Sequence, residues 1–259
     1  MKKIIAIALM AIMLIGCFAG CGSSKKLLVA TNAEFAPFES LNEDGEIVGF
    51  DVDLIKAIAE KMGYEVQFEN MEFDGVVAAV ANGTTDLAIS GLTITAGRAK
   101  TVNFSNAYYS GAAQILIVGK DDTYYTGTDK AALDAQLKGQ NIGVCSGYTG
   151  EFYAKGDEDW GFTAIEGANV KIYENISLAI ADLKEGNINA IIMDDSVAKE
   201  AVAANASVAK VIDIALTVEE YGIAIDKTNP ELKEKVDAAL AELVEDGTVA
   251  KLLEKYELN

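Results

Sequence analysis

The residue types that carry most enzyme and metal chemistry are scarce in this chain of 259 residues. It contains no histidine, which is the commonest general base and metal ligand in proteins. It also lacks a Gly-Lys-Ser/Thr phosphate loop, a CxxC pair and a GxGxxG motif. Its 40 Asp and Glu residues could perform acid–base chemistry, but their spacing does not indicate a catalytic pair. The composition therefore favours a binding protein over an enzyme, with no metal ion or other cofactor.

Arginine is almost absent, since 20 of the 21 basic residues are lysine and one is Arg98. Arg98 comes shortly after a predicted buried strand, in the segment that begins at Thr93. The planar guanidinium of arginine can hold a carboxylate through two parallel hydrogen bonds, which lysine cannot do. An ordinary surface arginine would fit the count equally well. The position after a strand favours a role in binding an anionic group.

Two further segments place suitable groups at the ends of predicted strands. The stretch 142–150 is a strand followed by a glycine-rich turn and the start of a helix, and its backbone amides suit an anion. Asp194 and Asp195 follow the apolar strand 190–193. Either acid could cap the next helix, Asp195 more clearly because it directly precedes that helix, while Asp194 could instead receive an ammonium group. Together with Arg98, these groups suit a ligand that carries both a carboxylate and an ammonium group.

The elements that must position these groups are short apolar strands alternating with amphipathic helices. The predicted strands are 27–31, 64–68, 86–90, 114–119, 141–145 and 189–193, and the predicted helices are 51–62, 73–81, 175–184, 196–204 and 230–256, with Asp51 as the cap of the first and Gly247 dividing the last. Such alternation indicates parallel or mixed sheets covered by helices. Because the pattern restarts after residue 113, we predict an α/β fold with two lobes. Ligands of open α/β sheets bind beyond the carboxyl ends of the strands.

The N-terminal segment is typical of a targeting signal. Lys2 and Lys3 precede the apolar run 4–15, and these twelve residues are fewer than the roughly 20 that a membrane-spanning helix needs. The segment therefore predicts export of the protein, with the signal removed from the mature fold.

Small residues precede a cysteine twice in this region, at Cys17 and at Cys21. Both sites resemble the cleavage box of bacterial lipoproteins, although two plain thiols in a simple secretory signal are the alternative. We predict a lipoprotein signal over residues 1–21, lipidation of Cys21 (or Cys17), and a flexible tether over 22–26. Only Cys145 remains elsewhere, so no disulfide framework is expected.

The net charge of −19 disfavours one large class of partners. A strongly acidic chain repels nucleic acids and anionic lipid surfaces, so we expect no nucleic-acid partner. The charge does not select the ligand.

Several stretches resemble the family 3 solute-binding proteins of polar amino-acid ABC transporters, most closely the glutamine, histidine and lysine/arginine/ornithine binders. The matching stretches are ATNAEFAPFE (30–39), VGFDVDL (48–54), MEFDG (71–75), SGLTIT (90–95) with Arg98, VNFS (102–105) and EYGIA (220–224). They occur in family order over nearly the whole chain after the signal. Each stretch is weak alone, but the ordered set is specific.

The resemblance implies a two-lobed fold of the type II periplasmic-binding-protein kind. Its first lobe would be discontinuous, comprising residues 25–110 and 219–259, with residues 113–216 forming the second lobe. Two hinge segments, near 108–112 and 217–221, would connect the lobes.

The resemblance also implies which residues hold the charged ends of the ligand: Arg98, Thr93, Thr149, Ser90, Gly91 and Asp194. Arg98 would clamp the ligand carboxylate, helped by the hydroxyl of Thr93 and the amide of Thr149. A backbone carbonyl of residue 90 or 91 would accept from the ammonium group, and Asp194 would supply the countercharge.

The predicted pocket for the ligand side chain departs from the family pattern. Phe35 and Phe73 would form its walls. Asn32 stands where several family members carry an Asp, and Cys145 and Met193 stand where the glutamine binders have a lysine and a histidine. These residues describe an uncharged and rather apolar pocket, which favours a neutral side chain, including one that contains sulfur.

A cationic ligand is the alternative, because Glu34 and Glu220 would favour it if they reached the pocket. One of these acids could also serve as the general acid of an enzyme resembling the cyclohexadienyl or arogenate dehydratases, which is the alternative function. A receptor sensor domain would need a membrane span after the domain, and none precedes the end of the sequence at Asn259.

We therefore predict the substrate-binding lipoprotein of an ABC importer. It would be a monomer outside the cytoplasm, anchored by lipid to the cell membrane or at its periplasmic face. It would deliver a free L-amino acid to a membrane permease.

Overall fold

The computed structural model of the protein describes residues 25–258. Within that part, the strands are β1 (Lys25–Thr31), β2 (Glu34–Phe35), β3 (Glu39–Leu41), β4 (Ile47–Val48), β5 (Tyr64–Asn70), β6 (Leu87–Ala88), β7 (Val102–Phe104), β8 (Tyr109–Ala112), β9 (Gln114–Gly119), β10 (Asn141–Cys145), β11 (Asn169–Tyr173), β12 (Ala190–Asp194), β13 (Ala209–Ile212), β14 (Glu219–Tyr221) and β15 (Ala224–Asp226). The helices are α1 (Phe50–Met62), α2 (Phe73–Ala81), α3 (Lys130–Leu137), α4 (Thr149–Lys155), α5 (Ile176–Lys184), α6 (Asp195–Ala204), α7 (Pro230–Glu245) and α8 (Thr248–Lys255), with a 3-10 turn at Arg98–Lys100.

The predicted signal peptide and the two candidate lipidation sites, Cys17 and Cys21, lie outside the described residues. Strand β1 begins at Lys25, inside the range 22–26 that was predicted as a tether. No helix in the described part of the chain is long and apolar enough to cross a bilayer.

Two five-stranded mixed sheets organise the fold. The first has the order β5-β1-β6-β15-β7, in which β5, β1 and β6 are parallel and β15 runs antiparallel to both of its neighbours. The second has the order β11-β10-β12-β9-β13, in which β9 is the antiparallel strand. We call the part from β1 to β7, together with β15, α7 and α8, the first lobe, and the part from β9 to β13 the second lobe. The predicted α/β class is confirmed.

A two-stranded antiparallel sheet of β8 and β14 connects the lobes. The chain leaves the first lobe through β8 and returns to it through β14. Both strands lie within the segments where the crossings were expected.

Helix α1 shows how the sequence builds the core of the first lobe. Phe50, Leu54, Ile55 and Ile58 recur at helical spacing and are all buried on the face that packs against the sheet. The helix ends at Gly63, whose left-handed backbone lets its N–H bond to the carbonyls of residues 59 and 60.

The predicted cap of α1 is wrong. Gly49 occupies the N-cap position, and Asp51 lies inside the first turn. The carboxylate of Asp51 turns into the protein, where it accepts hydrogen bonds from the N–H of Gly91 and the hydroxyl of Tyr108, both at 2.8 Å. The buried start of the helix is satisfied without a side-chain cap, because the N–H groups of Phe50 and Asp51 donate to the carbonyls of Pro37 and Phe38. The carboxylate of Asp51 therefore accepts from other donors, which it needs because an unpaired buried carboxylate is costly.

Two other differences concern short strands. The strand predicted over 86–90 is regular only at Leu87–Ala88, because the chain then enters a turn in which Gly91 has a φ of +52°. The small sheet of β2, β3 and β4 was not predicted, since strands of two or three residues are too short to show alternation.

Gly49 provides a test of this local structure. Its φ of +138° is a conformation that only glycine adopts readily, and an added Cβ would lie 2.1 Å from the carbonyl oxygen of Phe38. We expect Gly49→Ala to lower the free energy of unfolding by at least about 3 kcal/mol. Gly45→Ala is the matched control, because φ is +78° there but nothing lies within 4 Å of the added atom. Urea unfolding followed by circular dichroism measures the unfolding free energy of both variants. Equal losses in the two variants would contradict the importance of the close contact with Phe38.

Candidate ligand-binding site

A small cavity of about 160 Å³ lies where the two lobes face each other. The residues that line it are Phe35, Phe73, Gly91, Thr93 and Arg98 from the first lobe, and Tyr148, Thr149 and Asp194 from the second. All of them except Tyr148 belong to the predicted site. A larger depression of about 1060 Å³ on the second lobe is lined by none of the predicted residues. The predicted charged groups therefore converge on one place between the lobes.

Arg98 is almost buried, with 9% of its surface exposed. Its Nη1 donates to the carbonyl oxygen of Thr93 and its Nη2 to that of Gly147 in the other lobe, both at 3.0 Å. Among residues 25–258, no carboxylate lies within ion-pair distance of the guanidinium. Burial lowers the pKa of Arg98 to about 10, while Glu219 and Asp194 act in the opposite direction. The side chain thus stays charged at neutral pH and lacks an anionic partner.

Two aromatic rings enclose the guanidinium. Its central carbon lies 5.3 Å from the ring centroid of Phe73 and 5.0 Å from that of Trp160, distances at which a cation is attracted to an aromatic ring. Trp160 is the only tryptophan of the chain and belongs to the second lobe. Sequence reasoning missed it, because no motif surrounds it. The rings restrict the directions from which a ligand can approach Arg98.

Glu219 is a second buried group that sequence reasoning missed. The hydroxyl of Thr93 donates to its Oε2 at 2.7 Å and that of Thr217 to its Oε1 at 2.6 Å. The hydroxyls of Thr93 and Thr149 are 3.1 Å apart, and since Thr93 donates to Glu219, Thr149 is the donor between them. Only 4% of Glu219 is exposed. Glu219-Glu220 looks like a solvated charge pair in the sequence, but only Glu220 is exposed.

Asp194 stands at the carboxyl end of β12 with 4% of its surface exposed. It occupies the N-cap position of α6 without capping it, and its Oδ1 accepts from the hydroxyl of Tyr221 at 2.7 Å. Asp195 is the first helical residue, and its Oδ1 accepts from the N–H of Ala113 at 3.4 Å. The capping interpretation of both acids is therefore wrong. Burial, and next the charge of Glu219, raise the pKa of Asp194 to about 7.

Four predicted residues lie behind the cavity rather than in its lining. Ser90 is fully buried, and its hydroxyl accepts from the N–H of Asn32 at 3.0 Å. The side-chain amide of Asn32 donates to the carbonyl of Met71 at 2.9 Å. Cys145 and Met193 are buried at the ends of their strands, and burial raises the pKa of the Cys145 thiol to about 12. These groups form an uncharged layer beneath the cavity.

A pair of buried acids supports the Ser90–Gly91 turn. Glu39 accepts from the hydroxyl of Ser90 at 2.7 Å, and Asp51 accepts from the N–H of Gly91. Burial and the charge of Asp51 raise the pKa of Glu39 well above its usual range, and burial raises that of Asp51 to about 6. Oε2 of Glu39 and Oδ1 of Asp51 are buried without a hydrogen-bond partner. Two neighbouring buried carboxyl groups disfavour each other's ionisation, so we expect this pair to hold one proton between them.

The two acids considered for a cationic ligand or for catalysis do not line the cavity. Glu34 and Glu220 are both exposed, and Glu220 accepts from the hydroxyl of Ser110 at 3.2 Å. Within residues 25–258, no cluster of three acid, cysteine or histidine side chains is arranged to hold a metal ion.

Comparison with known proteins defines the class. Residues 27–259 match the bacterial extracellular solute-binding proteins, family 3, and the chain belongs to this family. It is 35% identical to the arginine-binding extracellular protein of Bacillus subtilis, with 91% of each chain covered. It is 30% identical to the L-cystine-binding protein of Escherichia coli, covering 98% of this chain and 92% of that one. It superposes on a crystal structure of a mutant of ArgBP from T. maritima with a TM-score of 0.80 and 35% identity, covering 92% of this chain and 97% of that one. The two-lobed fold and the predicted family are therefore confirmed.

The shared proton of Glu39 and Asp51 predicts a pH effect on stability. Because both pKa values are raised, the pair stabilises the fold while it holds its proton, and this contribution is lost as the pH rises through about 6 and beyond. Asp51→Asn mimics the protonated acid. We expect it to reduce the loss of unfolding free energy between pH 5 and pH 8 by about 1 to 3 kcal/mol relative to the wild type.

Asp53→Asn in the same helix is the matched control. Partial burial acts to raise the pKa of Asp53, but hydrogen bonds from Lys255 and Tyr256 outweigh it and lower the pKa. Replacing Asp53 should therefore leave the loss of unfolding free energy between pH 5 and pH 8 unchanged. Urea unfolding at both pH values measures the effect. If Asp51→Asn lost as much unfolding free energy between pH 5 and pH 8 as the wild type does, the shared proton would be contradicted.

Proposed function

We propose that the protein is the extracytoplasmic binding component of an ABC importer, which captures a free L-amino acid between its lobes and delivers it to a membrane permease. The observation that carries this proposal is a buried cation, Arg98, that has no carboxylate partner among the described residues and lines the same cavity as a buried acid from the other lobe, Asp194. A free amino acid supplies the missing carboxylate and an ammonium group in one small molecule.

The carboxylate of the ligand would bind to Arg98. A guanidinium can form two parallel hydrogen bonds with a carboxylate, and these are stronger than its present bonds to the neutral carbonyls of Thr93 and Gly147. Thr149 lines the same cavity and would offer its backbone amide. The aromatic faces of Phe73 and Trp160 exclude water from this contact, which strengthens it further.

The ammonium group would lie toward Asp194 and the backbone at Gly91. Without ligand, the negative charges of Asp194 and Glu219 disfavour each other. An ammonium group offsets that repulsion, so the ligand stabilises contact between the lobes. Strands β8 and β14 would act as the hinge, and the permease would recognise the form in which the lobes are closed.

A neutral side chain fits the pocket best. The residues in and beneath the side-chain end of the cavity are Phe35, Phe73, Asn32, Cys145 and Met193, and none carries a charge at neutral pH. Glu34 and Glu220, which a cationic side chain would need, do not line the cavity. Arginine and cystine appear in the names of relatives, so the ligand must be determined by direct comparison.

An extracytoplasmic location accords with the names of relatives, one of which is called an extracellular protein. Lipidation at Cys21 or Cys17 and a monomeric state belong to the same proposal. An enzyme of the dehydratase kind is not favoured, because the acids considered for it lie outside the cavity and the relatives compared here are named as binding proteins.

Arg98→Lys tests the clamp. The variant keeps the charge but loses the planar fork, so we expect binding of the preferred amino acid to weaken by at least about 2 kcal/mol, or roughly 30-fold. Calorimetric titration measures the affinity. Lys100→Ala is the control, because Lys100 forms only an exposed ion pair with Asp159 and its loss should change affinity by less than about 1 kcal/mol. Unchanged affinity in Arg98→Lys would exclude Arg98 from the site.

Asp194 predicts how binding depends on pH. Its raised pKa means that the ligand-free acid takes up a proton as the pH falls through about 7, whereas an ammonium group needs the ionised form. We expect affinity to fall between pH 8 and pH 5.5, by up to about tenfold per pH unit. Asp194→Asn should bind weakly at every pH, with a flatter profile. A wild-type affinity independent of pH over this range would contradict the assignment.

A further inference from the structure

Tyr148 is the one residue of the cavity lining that the predicted site lacks. It lies in the second lobe, between the end of β10 and the start of α4, with 6% of its surface exposed. Its ring centroid is 4.2 Å from that of Phe73 and 5.6 Å from that of Phe35, and both of these rings belong to the first lobe. The tyrosine ring therefore packs against the two rings that were expected to wall the ligand side chain.

The hydroxyl of Tyr148 reaches the back wall of the first lobe. It donates to Oδ1 of Asn32 at 3.3 Å, and the amide of Asn32 is held by the carbonyl of Met71. Burial raises the pKa of Tyr148 well above its usual range, so the side chain is neutral. The ring thus extends from one lobe to the other across the side-chain end of the cavity.

Backbone contacts on both sides of Tyr148 fix the base of the ring. The carbonyl of Gly147 accepts from Arg98, and the N–H of Gly147 donates to the carboxylate of Glu151 at 2.8 Å. A Cβ at Gly147 would lie 3.3 Å from Cα of Asp74, so the two lobes approach closely here. The peptide N–H of Tyr148 also closes a turn onto the carbonyl of Cys145 at 3.3 Å. The position of the ring therefore follows from contacts that also position Arg98.

The remaining space is small. The cavity leaves only about 10 Å³ for the centre of a water-sized sphere, whereas pockets for drug-sized ligands usually hold about 300 Å³ or more. The groups that would bind the charged ends of an amino acid still line this space, but the region between Phe35 and Phe73 is filled by Tyr148.

We propose that Tyr148 determines ligand size by filling the side-chain end of the cavity, so that the protein selects amino acids with small, uncharged side chains and rejects long or cationic ones such as arginine. This inference rests on the proposed function, because it concerns which amino acid the site accepts.

The test compares alanine and serine with arginine and histidine on three proteins: the wild type, Tyr148→Phe and Tyr148→Ser. Calorimetric titration gives the affinities, and thermal melting without ligand checks folding. We expect the wild type to bind alanine or serine at least about tenfold more tightly than arginine. Tyr148→Ser should shift this ratio toward arginine and histidine by at least about tenfold, because it opens the space between the two phenylalanines. Tyr148→Phe keeps the ring and should keep the wild-type preference.

The outcomes separate the inference from the function on which it rests. Tighter binding of arginine or histidine than of alanine and serine by the wild type would overturn the inference even if Tyr148→Ser did not fold. Weaker binding of arginine and histidine by Tyr148→Ser than by the wild type would also overturn the inference, since the tyrosine ring would then contact the ligand and stabilise its binding. In both cases amino-acid binding itself would stand. If none of the twenty amino acids raised the melting temperature of the wild type, the proposed function would fail.

Discussion

The burial of one guanidinium between two lobes is the constraint on which the rest of the site depends. A buried charge is costly unless neighbouring groups compensate for it. Two backbone carbonyls and two aromatic faces give Arg98 partial compensation, while Glu219 and Asp194 act on it from beyond ion-pair distance. This arrangement keeps the cation in place without neutralising it. A small molecule with a carboxylate could complete the compensation, which is why the proposed function places the ligand where the lobes meet.

The connecting strands link the geometry of the lobes to the acids of the site. Tyr108, beside β8, donates to Asp51 in the first lobe, and Tyr221, in β14, donates to Asp194 of the second. Each acid in turn lies at or directly behind the cavity. A change in the angle between the lobes must therefore alter hydrogen bonds to buried carboxyl groups, where losing a partner costs more than it would at the surface. Under the proposed function, these two tyrosines would couple ligand binding to lobe movement.

Family membership and ligand choice depend on different residues. The stretches that resemble the family include Gly91 and Thr93 and lead up to Arg98, and the proposed function assigns these residues to the charged ends that every free amino acid carries. The proposed end of the cavity for the ligand side chain has different residues around it. They are two phenylalanines, an asparagine, a cysteine that burial keeps neutral, and Tyr148, which packs against Phe73. A chain can therefore belong to one family with relatives named for binding arginine and cystine and still differ from them in the residues around its cavity.

The sequence by itself determined the regular elements and drew attention to Arg98. Helix α2 and strands β9 and β10 were predicted with the bounds they have, because the local spacing of apolar residues and the glycines near their ends specify them. Arg98 could be recognised because it is the single arginine after a strand. Only the tertiary structure decided that Glu219 is buried, that Asp51 faces inward, and that Tyr148 reaches Asn32 across 116 positions of sequence. These features arise from packing between segments that are distant in the chain, and no local pattern encodes which distant surface a side chain will meet.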